Sequence, residues 1–133
     1  MFRDTSKLKV FELADGLAES VHRVTAGTPE SLGAQLRRAS ILPPLAIQEG
    51  CAQWKDEAFI QHLGRARSAA AELRYLLGLA GRVGLLGAEA RDLEERAFHL
   101  VKALQLLLKA QRQREDKPRP VKSPEPAASI QVP

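Results

Sequence analysis

The 133-residue sequence predicts an all-α fold, an antiparallel up-down-up-down four-helix bundle. Apolar residues recur at alternating steps of four and three along four separate segments. No segment shows the two-residue alternation of a half-buried strand. The connections between segments are short, which forces consecutive helices to run antiparallel.

The first segment spans roughly 6 to 26, with Val10, Ala14, Leu17, Val21 and Val24 on one face and Leu13 and Ala18 widening the stripe. The second opens at Thr28-Pro29-Glu30: a threonine able to cap free amides, a proline with its φ already helical, and an acid at the positive end of the dipole. It runs to about Gly50 on the seam Leu32, Leu36, Ala39, Ala46 and Gly50. Pro43 and Pro44 interrupt it, removing the amides that would bond the carbonyls of Ala39 and Ser40. An interior proline costs roughly 3 kcal/mol or more, so a kink is expected at the pair. The Ser40 hydroxyl or a water is expected to serve one freed carbonyl, and a neighbouring arginine the other.

The third segment has the most regular seam, Phe59, Leu63, Ala66, Ala70, Leu73, Leu77 and Ala80, and Gly81 and Gly84 then lead into a turn. The fourth, from about Gly87 to Gln113, repeats the spacing with Leu86, Ala90, Leu93, Ala97, Leu100, Leu104 and Leu107. Glu89, Asp92, Glu94 and Glu95 crowd its start, and Lys109, Arg112 and Arg114 its end, as the macrodipole favours. Residues 1–113 are therefore expected to form the bundle. Residues 114–133, which hold five of the eight prolines and little to bury, are expected to be a disordered tail.

Composition excludes several function classes. No apolar run reaches the roughly 18 residues of a membrane span, and MFRDTSKLKVF lacks a signal peptide's apolar stretch, so a cytoplasmic protein with no membrane partner is expected. Cys51 is the only cysteine, which rules out an intrachain disulfide and a cysteine-based zinc site. His22, His62 and His99 lie on three different segments without metal-ligand spacing, and the paired Glu-x-x-His signature of di-iron bundles is missing. There is no phosphate loop or nucleophile elbow. The expectation is a non-enzyme with no catalytic residue, metal or cofactor.

The fourth segment carries more apolar surface than one buried stripe needs: Phe98, Val101, Ala103, Leu106 and Leu108 lie around its seam. Ile41, Leu42, Leu45 and Ile47 add a second excess around the prolines. Homo-oligomerisation is expected, with Ile41, Leu42, Leu45, Phe98, Val101 and Leu108 at the interface. Trp54 either closes one end of the bundle or anchors an interface, packing being the expected role; Tyr75 lies off the third seam, where a subunit boundary could fall.

LKVFELADGLAESVHRVT, QLRRASILPPLAIQEG and FIQHLGRARSAAAEL together resemble the signature stretches of the four-helix-bundle proteins encoded within intervening sequences of bacterial 23S ribosomal RNA genes. The resemblance runs from about residue 7 to residue 110. Its motif positions are Gln35, Leu36, Arg37, Arg38 and Ala39, then Pro44, then Ile47, Gln48, Glu49 and Gly50, then Ala66-Arg67 and Glu72-Leu73. Leu42 and Ala46 replace the family's usual serine and asparagine, and Pro43 its aliphatic residue, so the bend resembles a packing surface more than a polar site. The resemblance implies an antiparallel bundle assembled as a homopentamer. A related group, the accessory variability determinant of diversity-generating retroelements, shares that assembly, binds nucleic acid through basic surface and partners a reverse transcriptase. The resemblance determines fold better than function.

The net charge of +4 permits phosphate contact without requiring it. Arg37 and Arg38 point about 100° apart on a helix. Arg37, beside the seam, is expected in a structural ion pair with Glu49 or Glu72, while Arg38 faces outward. Arg67, Arg74 and Arg82, with Arg65 nearby, form a basic stripe beside the third seam that is either a solvated face or a nucleic-acid contact. Aromatic residues make up 5% of the chain and none lies in a basic cluster in sequence, so base stacking is not expected. The leading expectation is a nucleic-acid-binding or scaffold oligomer in which Arg38, Arg65, Arg67, Arg74 and Arg82 contact the backbone of ribosomal or other structured RNA, summed over subunits. The alternative is a protein-binding subunit, for example a reverse-transcriptase accessory protein, whose arginines bridge subunits.

Overall fold

The computed structural model describes residues 8–116, with side chains to Arg114. It contains five helical segments: α1 (Lys9–Val24), α2 (Ser31–Ser40), α3 (Leu42–Cys51), α4 (Asp56–Arg82) and α5 (Glu89–Asp116). The helix α5 extends slightly beyond the expected end at Gln113. The start of the first helix before residue 8, and nearly all of the expected tail, lie outside the described residues. The helices α2 and α3 together form the second long element, so the architecture is a four-helix bundle. The most extensive packing is α4 on α5, followed by α3 on α4; α1 lies against α5, α2 and α3. Elements adjacent in the chain are thus adjacent in space, and α1 stands diagonally across from α4.

Every α4 seam residue from Phe59 to Ala80 is buried, and all join one core with Val10, Ala14, Leu17 and Val21 of α1, Leu36, Ala39, Ala46 and Ile47 of α2–α3, and Leu93, Ala97, Leu100 and Leu104 of α5. Leu13 is exposed and does not widen the α1 stripe. The α5 seam ends differently from expectation: Leu107 is only partly buried and Leu108 is 1% exposed. An α-helix drifts about 20° per heptad against a 3.5-residue repeat, so by the far end of the α5 seam, which starts at Ala90, the inward position has moved from Leu107 to the next residue. Leu108 is therefore a core residue and not an interface residue. Val101 also packs against the core, half-buried. Trp54, in the α3–α4 connection, is 74% exposed and does not close the end of the bundle.

The second element breaks at Ile41, just before the prolines, which fall in the first turn of α3. First-turn amides have no intrahelical acceptor, so both prolines avoid the penalty expected of them in a helix interior. The interruption ends one helix and starts another. The Ser40 hydroxyl donates to the carbonyl of Arg37 at 2.8 Å, satisfying an acceptor stranded at the end of α2. At the other end, α2 begins at Ser31 with Glu30 as its N-cap and no side-chain cap bond, so Thr28 does not cap it.

The α4–α5 turn is set by Gly84, whose φ is 80°. The amide of Leu85 donates to the carbonyl of Ala80 at 2.9 Å, the long-range bond of a Schellman motif. Gly84→Ala is expected to cost about 1–2 kcal/mol, the penalty of a Cβ in left-handed backbone, read as a lower urea midpoint with unchanged slope.

Candidate functional site

The helix α4 presents two flanks to its neighbours, and the predicted arginines divide between them. On the flank towards α5, the Arg74 guanidinium carbon lies 4.3 Å from the ring centroid of Phe98, and the Lys102 ammonium lies 5.3 Å from the same ring. Arg82 reaches back along α4 to within 5.9 Å of the Tyr75 ring centroid. Arg67 sits seven residues before Arg74, two turns away on the same face. Arg91, Glu94 and Glu95 of α5 border the notch over Arg74 and Phe98. The basic cluster therefore contains aromatic rings, contrary to the expectation from sequence. Long-range packing brings Phe98 under Arg74; the signals in the sequence were the four-residue step from Phe98 to Lys102 and Tyr75 directly after Arg74.

On the opposite flank, Arg65 pairs with Glu49 of α3 at 3.6 Å. Both side chains are largely exposed, a geometry that contributes little stability. Arg38 is exposed and lines a depression between α2 and α4 with Gln35, Ala39, Leu42, Glu72 and Leu76. A neighbouring groove of about 300 Å³ is lined by Leu42, Leu45, Ala46, Glu49, Arg65 and Ala69. Ile41, Leu42 and Leu45 are all exposed here. This flank is mainly apolar with charged edges, and Arg38 and Arg65 belong to it. Phe98, expected at an interface with those three, lies half-buried on the other flank. The five arginines do not form one site.

Arg37 takes neither of its expected carboxylate partners. Its Nη1 donates to the carbonyl of Thr25 at 2.8 Å, while Glu49 is engaged by Arg65. The reason is local: α1 ends beside Arg37, and its last carbonyls need donors. Thr25 is fully buried and its hydroxyl donates to the carbonyl of Val21 at 2.7 Å. His22 joins the same junction, its Nδ1 lying 3.1 Å from the Ala18 carbonyl oxygen and 3.3 Å from Ser40 Oγ. The Thr28 amide also donates to the Thr25 carbonyl, at 3.0 Å, so Arg37→Ala removes one of its two donors and is expected to lower unfolding free energy by about 0.5–1.5 kcal/mol, measured by chemical denaturation.

Arg96 was not singled out by sequence reasoning, yet it ties α5 to α1 by donating from Nη1 to Ser20 Oγ at 3.0 Å. A separate crevice lined by Glu30, Leu32, Val83, Gly84 and Leu85 has one acid and no basic or nucleophilic side chain on its walls. Among the described residues no group of three or more His, Cys, Asp or Glu side chains converges on a point. Among the same residues no helix is long and apolar enough to cross a membrane.

These features define an all-α bundle with a basic-aromatic flank and an apolar flank on either side of α4. Residues 6–106 match the family described as 23S rRNA-intervening sequence protein, and the chain belongs to that family. No curated protein matches it.

Proposed function

We propose that the chain is a non-enzymatic, self-associating bundle of the bacterial cytoplasm that binds nucleic acid, structured RNA foremost, through its phosphates. The observation that carries this reading is the state of Arg67, Arg74 and Arg82. None forms an ion pair among the described residues, whereas Arg65 on the opposite flank does. Arg74 and Arg82 lie against aromatic rings, and although Glu94 and Glu95 border them, neither carboxylate closes an ion pair with them, so their N–H forks remain available for bidentate phosphate contact. Three such cations per chain bind weakly, but repeating them around an oligomer multiplies the contacts. The exposed Ile41, Leu42 and Leu45 support self-association through the opposite flank, in a pentameric ring on the family resemblance.

A second reading takes the apolar groove at Leu42 and Leu45 as the seat of another protein, a polymerase such as a reverse transcriptase, with no direct nucleic-acid contact. A salt titration of RNA and DNA binding by the purified oligomer separates the two. Phosphate binding predicts tight association at low salt and a steep linear fall of log affinity with log salt. Absence of binding at low salt removes the first reading.

A further inference from the structure

We propose that the α4–α5 flank takes single-stranded nucleic acid, with an unpaired base stacked on Tyr75 and its flanking phosphates held by Arg74 and Arg82. This deepens the nucleic-acid reading above and rests on it.

Tyr75 is 61% exposed two turns before the end of α4, a large ring left open to water on a helix whose inward face is fully packed. The preceding residue, Arg74, lies over Phe98, which restricts the guanidinium before any ligand arrives. A pre-positioned fork loses less rotamer entropy on binding phosphate. Gly78 lies between Tyr75 and Arg82. A Cβ there would lie 3.3 Å from Arg82 Nη1 and 3.1 Å from Glu94 Oε2, so the missing side chain lets Arg82 fold back towards the Tyr75 ring. An aromatic face and un-neutralised guanidinium groups within one stretch of helix match the two parts of a nucleotide, a flat base and an anionic linkage.

Chemical complementarity selects the single strand. In a duplex the base faces are stacked on one another, so a duplex engages the cations but leaves Tyr75 unused. Glu94 and Glu95 border the α5 side of the notch and repel phosphate, which directs the strand along α4 past Tyr75. Stacking is tolerant of base identity, so little sequence preference is expected.

The test compares full-length protein with Tyr75→Ala and Tyr75→Phe, measuring fluorescence anisotropy of a labelled oligouridylate and of a labelled RNA duplex of equal length. Tyr75→Ala is expected to weaken oligouridylate binding roughly tenfold, the loss of one base-aromatic stack, while duplex binding stays within about twofold and Tyr75→Phe retains the stack. Equal losses on both RNAs, or none on oligouridylate, overturn the stacking site while leaving phosphate binding intact. Wild-type protein that binds neither RNA overturns the nucleic-acid reading and this inference with it.

Discussion

Leu77→Ala is expected to lower unfolding free energy by about 2–5 kcal/mol, the range for a buried leucine truncated in a core that cannot fully collapse. Leu77 is 0% exposed, and α4 packs against α2, α3 and α5, so a cavity there has rigid walls on several sides. Total stability of a domain this size is about 5–15 kcal/mol, so the variant sits near the threshold of folding. The urea midpoint reads the loss. Leu106→Ala serves as the control: Leu106 is 69% exposed, and its truncation is expected to stay within about 0.5 kcal/mol. A loss at Leu77 as small as the control's would place that side chain outside the core.

If the chain self-associates through α3 as proposed, Leu45→Asp is expected to dissociate the assembly without unfolding the bundle. Leu45 is 46% exposed in the isolated chain, so a charge there stays hydrated and costs the monomer little. In a subunit contact the same carboxylate would be desolvated beside Leu42 and Ala46, at a cost of several kcal/mol unless paired. Light scattering across a dilution series should show a multimer for wild-type protein and a monomer for the variant, with the helical circular dichroism unchanged. Equal multimeric masses for both proteins would move the proposed interface away from α3, and a monomeric wild type would overturn self-association.

The seams of all four elements were legible in the sequence because burial follows helical spacing directly, and α4 from Phe59 to Ala80 matches without a gap. What spacing leaves out is which neighbour occupies each flank. Arg65 and Arg74 both border the same seam, yet one meets Glu49 of α3 and the other Phe98 of α5. The pairing of Phe98 with Arg74 is a contact between separate helices that no local pattern reveals, whereas Tyr75, next to Arg74 and seven residues before Arg82, was the aromatic of the stripe that the sequence did show. Leu108 was misread because the alternation of four and three steps does not track an α-helix indefinitely.

The break in the second element was readable as a break but misplaced by two residues. A proline pair inside a continuous apolar pattern reads as damage to one helix, while the chain uses it as the first turn of the next. The exposed surface this creates, Ile41, Leu42 and Leu45, lies across α4 from Arg74 and Arg82. On the proposed function, self-association through the first surface would leave the second accessible, the arrangement an avid nucleic-acid binder requires.

Photo-cross-linking of the assembled protein to RNA, followed by mapping of the modified peptides, tests the division between these surfaces most directly. The RNA adducts are predicted on α4 and α5 around Tyr75, Arg74, Arg82 and Lys102, with α3 unmodified. Adducts concentrated on Ile41, Leu42 and Leu45, or none on α4 and α5, would contradict it.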